Sequence, residues 1–384
     1  MRAVGIICEY NPFHNGHKYQ IDQAKKQSGC DAVVCVMSGS FVQRGDIALF
    51  DKWSRAKAAL VSGADLVIEL PAWYVLQSAD MFAYGAVELL KKSHLADALS
   101  FGSESGCRQS LLRLGEILAD ENEDFKTLME KLMSAGSGYP SALRECIKTL
   151  YPELESITSN PNDMLGASYI SAMLRCGASF DIIPVLRHTS PHDSTISDGV
   201  FASSSAIRDI LKTGGDASAL TPSDTSLPKY RIENIESFIL GFLRSCSPDR
   251  IRSVPGTEDG FENRLISAAQ KSCTLSQFYD LAVSKRYSLS RVRRTVLAAI
   301  TGMEKNKHCD YVRILGMTDT GARLLKEASE KSELTFVTKT ADFTPAHNSV
   351  FCYDIAATDI FTLACDVSLL RSGGMDFYNS PVKI

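Results

Sequence analysis

A short apolar run, Ala3 to Cys8, leads into the loop Glu9, Tyr10, Asn11, Pro12, Phe13, then His14, Asn15, Gly16, His17, and then a helix-like segment, Lys18 to Lys26. This order, strand, loop, paired histidines, helix, constrains the fold more than any other feature of the chain. Histidines three apart lie on one side of a helical turn. Here the turn is the first of its helix, where backbone N–H groups have no intrahelical partner. The expectation is an anion pocket of two imidazoles beside free amides, with Gly16 letting a phosphate approach the backbone. Such a pocket suits charge stabilisation on an α-phosphate during nucleotidyl transfer. Metal ligation or a solvated surface would also accommodate two such histidines, but their place behind a buried strand favours the nucleotide.

Further strand-like runs occur at Asp31 to Met37, Asp65 to Leu70, Ala98 to Phe101 and Phe180 to Leu186. Several are nearly continuous apolar stretches, as strands covered on both faces should be. Pro184 places the last at an edge or an irregular position. Helical patterns lie between them, at Lys52 to Ser62 and Ser78 to Lys92, and residues 107–150 read as two or three helices. Alternating strand and helix predicts an α/β fold, a doubly wound Rossmann-like domain of parallel strands. Its ligands would lie beyond the carboxyl ends of the strands, where His14, His17, Ser38, Gly39 and Gly102 all fall. Asn162 or Asp163 is a candidate N-cap for the helical run Met164 to Arg175.

Past Arg187 and His188, the stretch Ala202, Ser203, Ser204, Ser205, Ala206, Ile207, Arg208 opens a helix with three hydroxyls and places Arg208 one turn on. Alone this is a serine N-cap; beside the histidine motif it reads as the other wall of a triphosphate site. Lys212 to Pro228 is poor in large apolar residues and reads as a linker or exposed loop. With 384 residues and about 150 per domain, the boundary falls there: a catalytic domain over 1–215 and a mainly helical domain over 230–384. Two runs in the latter, 311–316 and 334–338, have strand character.

Net charge is −4, so bulk charge does not announce a polyanion partner. From Lys285 to Arg313, however, eight basic residues meet only Glu304 and Asp310. That segment either steers a nucleic acid or is a solvated face. Eleven cysteines without a Cys-x-x-Cys pair suggest reduced thiols in a cytoplasmic protein. No apolar stretch approaches the roughly 18 residues of a membrane span, so no membrane partner is expected.

The histidine and serine motifs together resemble the nucleotidylyltransferase superfamily, with Ala202 standing where that pattern has isoleucine. The blocks Gly5 to His17, Met37 to Gly45, Asp65 to Pro71, Phe101 to Glu104, Pro161 to Gly166 and Arg286 to Arg294 are similar to the bacterial tRNA(Met) cytidine acetate ligases, over most of the chain. That resemblance implies acetyl-adenylate formation from acetate and ATP. Acetyl transfer to the wobble cytidine of elongator tRNA(Met) would follow, giving N4-acetylcytidine. It implies an ATP site of Ile7, Cys8, Glu9, Tyr10, Asn11, Pro12, Phe13, His14, Asn15, Gly16, His17, Lys18, Tyr19 and Gln20, with Gly102, Asn162, Arg187 and His188. His14 and His17 would be the catalytic pair, donating to phosphate oxygens. Ser203, Ser204, Ser205 and Arg208 would hold the β- and γ-phosphates. Ser38, Gly39, Gln43 and Arg44 would line the acetate or cytosine pocket, unless they are an ordinary loop. Lys285, Arg286, Arg291, Arg293 and Arg294 would dock the tRNA. Mg2+ would enter on the phosphates, since the sequence offers no carboxylate cage. Two other readings stay open: a nucleotidylyltransferase acting on a small coenzyme precursor, and a non-catalytic RNA-binding protein on an ATP-binding scaffold. A class I aminoacyl-tRNA synthetase finds no support, for want of a Lys-Met-Ser-Lys-Ser-like loop.

Overall fold

The computed structural model describes residues 1–187 and 201–384. Its centre is an eight-stranded sheet built from β1 (Ala3–Cys8), β2 (Ala32–Ser38), β3 (Leu66–Leu70), β4 (Ala98–Ser103), β5 (Asp181–Leu186), β6 (Tyr311–Met317), β7 (Thr335–Val337) and β8 (Val382–Lys383). The order is β8-β6-β3-β2-β1-β4-β5, with β7 pairing β6. From β3 to β5 every pairing is parallel; β6 joins β3 antiparallel. The helices used below are α1 (Asn15–Ser28), α2 (Lys52–Val61), α3 (Ala79–Ser93), α4 (Arg108–Ala119), α5 (Pro161–Arg175), α6 (Ser204–Lys212) and α7 (Leu289–Ile300).

Side chains of a strand alternate between faces, and this alternation divides the core. Val4 and Ile6 of β1, with Val33, Cys35 and Met37 of β2, pack under α1 and α2 beside Ile21, Ala24, Ala56 and Ala59. Ala3 and Ile7, with Val34 and Val36, face the opposite layer, which includes Phe82, Ala86 and Leu90 of α3. Helices therefore cover both faces, as the near-continuous apolar strands predict. Pro184 sits in edge strand β5, where its missing N–H costs no ladder bond. The 107–150 stretch forms three helices, α4 and then Glu123–Ser134 and Tyr139–Leu150.

The second half does more than add helices. Its strand β6 is wholly buried and extends the sheet at β3, so segments 1–215 and 230–384 share one sheet. Ionic contacts weld the junction. Lys52 Nζ lies 2.8 Å from both Glu69 and Asp376 carboxylates, and Arg313 lies 2.9 Å from Asp376 and 3.5 Å from Glu69. All four side chains are buried. Two cations face two anions, which is the only economical way to hold such groups out of water. No helix is long and apolar enough to cross a membrane among the described residues.

Candidate nucleotide site

His14 is the N-cap of α1, in extended conformation, and its Nδ1 accepts from the Gly16 N–H at 3.1 Å. His17, three residues on, accepts from the His14 N–H through its own Nδ1 at 3.2 Å. The arrangement is a reciprocal capping box, usually made by Ser or Thr with Glu, made here by two imidazoles. With each Nδ1 occupied as an acceptor, a neutral ring carries its proton on Nε2. The rings stack at 3.6 Å between centroids. Tyr10, at a left-handed φ of 47°, and Phe13 pack tilted rings against His17 at 4.8 and 5.5 Å between centroids.

Burial, followed by the charge of Arg187, lowers the His14 pKa from its ordinary 6.5 to about 4. Burial, then His14 and Arg187, pushes His17 well below its ordinary value. Both rings are neutral near pH 7, each a donor at Nε2.

The expected free amides are not there. The Asn15 N–H donates to Leu220 O at 3.1 Å, Gly16 to His14 Nδ1, and His17 to His14 O at 2.9 Å. One of the donors expected to meet phosphate, the Gly16 N–H, goes to the imidazole cap, and the other two go to backbone carbonyls. Gly16 has a different reason as well: a Cβ there would lie 2.9 Å from His14 Cε1, so glycine lets the ring fold back over its amide.

The serine motif meets the histidine loop directly. Arg208 Nη1 donates to Asn11 O at 2.6 Å, and Ser204 Oγ to Pro12 O at 3.4 Å. Ser203 caps α6 by accepting from the Ala206 N–H, and Ser205 Oγ accepts from Arg208. One serine thus caps, one ties the loops and one steers the guanidinium. The 212–228 segment is not simply an exposed linker. Ala219 O and Leu220 O accept from Asn15, Thr221 donates to Phe13 O, and Ala217, Leu220 and Thr221 are buried.

Arg187 rests over Gly102, where a Cβ would approach its Cγ to 3.3 Å. Arg187 Nη1 donates to Asn162 Oδ1 at 3.3 Å. Asn162 is not the N-cap of α5; Asn160 is. The Asn162 amide and its N–H both donate to Glu104, whose other oxygen accepts from the Asp163 N–H at 3.0 Å. Buried Asp163 returns the favour, accepting from Ser103 Oγ and the N–H groups of Glu104 and Ser105. A chain Glu104, Asn162, Arg187 therefore holds one cation near enough to the imidazoles for its charge to lower both their pKa values. His188 lies outside the described residues.

Glu9 Oε1 accepts from the Gln43 N–H at 2.6 Å. Beneath them Arg55, fully buried, donates to the carbonyls of Phe50, Glu9, Ser38 and Gly39, and burial lowers its pKa to about 10. It clasps the carboxyl ends of β1 and β2. Ser38 and Gly39 face inward here. The Ser38 hydroxyl is buried without a hydrogen-bond partner among the described residues, and a Cβ on Gly39 would fall 2.0 Å from Glu69 Oε1. They form a floor, while Gln43 is half-buried and Arg44 exposed. Ile7 and Cys8 end β1, and Lys18, Tyr19 and Gln20 continue α1 away from its cap.

The basic residues of the second half divide. Lys285 and Arg286 are exposed. Arg286 and Arg291 both pair with Glu258. Arg293 lies 3.6 Å from Asp46 and over the Tyr279 ring, and Arg294 donates to Gln43 O at 3.1 Å. Intramolecular partners take much of the charge that the sequence suggested was free.

Sequence reasoning missed Arg55, Glu104 and Thr221. For Arg55 a signal existed: Lys52, Arg55, Ala56 and Ala59 share one helical face, so two cations sit on the apolar side. For Glu104 and Thr221 none did, because their partners lie 58 and 208 residues away. Among the described residues no group of three or more His, Cys, Asp or Glu side chains converges as a metal cage.

Residues 1–373 match the HIGH Nucleotidyl Transferase family. The chain is 33% identical to the tRNA(Met) cytidine acetate ligase of Acetivibrio thermocellus, over 98% of each protein. It is 34% identical to that of Caldanaerobacter subterraneus subsp. tengcongensis, over the whole of both. Its structure is similar to Thermotoga maritima TmcAL, 28% identical over all of both chains, with a TM-score of 0.90 to the form bound with alpha-thio ATP and 0.91 to the apo form.

Proposed function

The chain belongs to the tRNA(Met) cytidine acetate ligases, a family of HIGH nucleotidyl transferases, and on that premise we propose that it activates acetate with ATP and passes the acetyl group to the wobble cytidine of elongator tRNA(Met). A carboxylate oxygen of acetate attacks the α-phosphorus, the bond to the bridging oxygen breaks, and pyrophosphate leaves. The cytidine N4 amine then attacks the acetyl carbon. AMP leaves, and N4 gives up a proton to water.

One observation supports this reading: Arg208 and Ser204 hydrogen-bond the Asn11–Pro12 backbone, which joins the start of the serine-motif helix to the histidine loop. His14 and His17 act there as neutral donors from Nε2, matched to charge that grows on the α-phosphate as the nucleophile arrives. Arg187 and Arg208 supply fixed positive charge on either side, and Ser203 and Ser205 add hydroxyls. Gly102 is the place for close approach of the nucleoside. Phosphoryl chemistry of this kind asks a protein for position and charge, and every group named here offers one or the other. In this reading Mg2+ would enter on the phosphates, which it binds with few protein ligands. Gln43 and Arg44 border the acetate and cytosine side. Exposed Lys285 and Arg286, with Arg291, provide the tRNA-facing charge.

Incubation of the protein with acetate, ATP and elongator tRNA(Met), followed by nucleoside mass spectrometry, tests the assignment. N4-acetylcytidine that depends on all three is expected. Its absence, together with pyrophosphate release on a coenzyme precursor instead, would move the chain to the small-molecule nucleotidylyltransferases.

A further inference from the structure

The turn 43–45 carries more than one hydrogen bond into the crevice. Gln43 is held at both ends: its N–H donates to Glu9 Oε1 at 2.6 Å, and its carbonyl accepts from Arg294 Nη1 at 3.1 Å. Glu9 belongs to the loop that leads to His14, and its own carbonyl accepts from Arg55. Arg294 belongs to α7, in the helical half, 251 residues away. The two elements also touch along their backbones. Gly45 has a φ of 74°, and a Cβ there would lie 2.5 Å from the Arg294 nitrogen and 2.6 Å from Arg293 Cβ. Next to it, Arg293 approaches Asp46 and lies 4.9 Å over Tyr279.

We propose that Arg294 is a positioning residue for the adenylating crevice: acting through Gln43, it holds the 43–45 turn against Glu9, and it does not dock tRNA phosphate. This rests on the acetate ligase reading above. One guanidinium nitrogen, Nη1, is engaged by a carbonyl of the first half, and the side chain is half-buried. A charge-assisted bond to a carbonyl fixes that carbonyl more firmly than a neutral donor does. Losing it leaves Gln43 tethered on one side only. A residue that orders the reacting crevice alters the rate of the bound complex; a residue that meets tRNA phosphate alters tRNA binding and its salt dependence.

The test is acetyl transfer measured over a range of tRNA(Met) concentrations and at two salt concentrations, with the intact chain. Arg294→Met should lower kcat at saturating tRNA by about tenfold to a hundredfold, the range expected for one hydrogen bond to a charged group. KM for tRNA and its salt slope should stay at wild-type values. Arg294→Lys, which restores a cationic donor on a stem of similar reach, should recover most of kcat. Gly45→Ala keeps every arginine side chain but forces the turn and α7 apart, and should reproduce the kcat loss. If Arg294→Met keeps wild-type kcat while KM for tRNA rises and the salt slope becomes shallower by about one counterion, Arg294 is a phosphate contact and the proposal fails. A melting curve identifies a variant that does not fold. In that event Gly45→Ala decides, and an unchanged kcat there overturns the idea. Failure of the underlying reading is seen separately, as absence of acetylcytidine with the wild-type protein.

Discussion

His14 caps its helix and, in the proposed mechanism, donates to phosphate; a pair of substitutions separates the two. Its Nδ1 accepts from Gly16 as the N-cap of α1, which leaves Nε2 to carry the proton of the neutral ring. Asparagine is among the best N-caps, so His14→Asn keeps an acceptor for Gly16 but removes the Nε2 donor. His14→Ala removes both. If the donor acts on the transition state, each variant should lose about 10²–10³-fold in kcat. Both variants lose the packing of the ring on His17; only the alanine variant should also lose the cap, at about 1 kcal/mol. An unfolding entropy of about 2.1 cal/mol/K per residue near 60 °C, applied to the whole chain, makes that about 1 °C in Tm per kcal/mol. A denaturant midpoint resolves such a difference more cleanly. The assay pairs acetylcytidine formation with urea unfolding on all three proteins. Activity of His14→Asn within about threefold of wild type would mean that the imidazole donates nothing in the rate-limiting step, against the effect size cited above. Equal loss of stability in both variants would mean that the capping geometry does not matter.

The low pKa of His14 gives stability a pH dependence of defined sign. Unfolded histidine protonates near 6.5 and the folded group near 4, so the unfolded state binds the extra proton as pH falls between those values. Stability from this group is complete above pH 6.5 and drains away toward pH 4, by roughly 3 kcal/mol in all; urea midpoints for His14→Asn should fall less steeply over that window. Lys52→Met strands buried Glu69 and Asp376 without their shared cation and should cost about 3–5 kcal/mol, read as a lower midpoint, whereas a midpoint within error of wild type would show that Arg313 suffices. Glu104→Gln replaces the acceptor of Asn162 with a weaker one and lets Arg187 drift; KM for ATP should rise about tenfold, the weight of one charged hydrogen bond, with little change in melting.

Much of the first half is written in local pattern. Five of its strands are short apolar runs bounded by polar turns, and their alternation between two layers follows from the two-residue repeat of any strand. The same locality put His14 and His17 on one turn of α1 and Ser203 at the start of α6. A helix that starts after a strand places its cap at the strand's carboxyl end, so a crevice there was readable in advance. What the pairs do with their own backbone was less readable. The expectation of free amides failed because the His14 ring takes the Gly16 N–H while the Leu220 and His14 carbonyls take those of Asn15 and His17, and no spacing encodes that ring orientation or the arrival of the distant Leu220 segment.

Everything that joins the halves was decided by tertiary structure. Strand β6 enters the sheet because a buried seven-residue apolar strand needs a ladder partner and β3 had an open edge, a choice made across some 240 residues of sequence. Lys52, Glu69, Arg313 and Asp376 become one ionic cluster only once that edge is filled. Arg293 and Arg294, which as sequence are simply positive, acquire partners that turn them toward the 43–46 turn. Periodicity and caps act over one turn of chain, so residue order alone settles them. Burial of a charge depends on which distant segment arrives to pair with it, and only the folded chain holds that information.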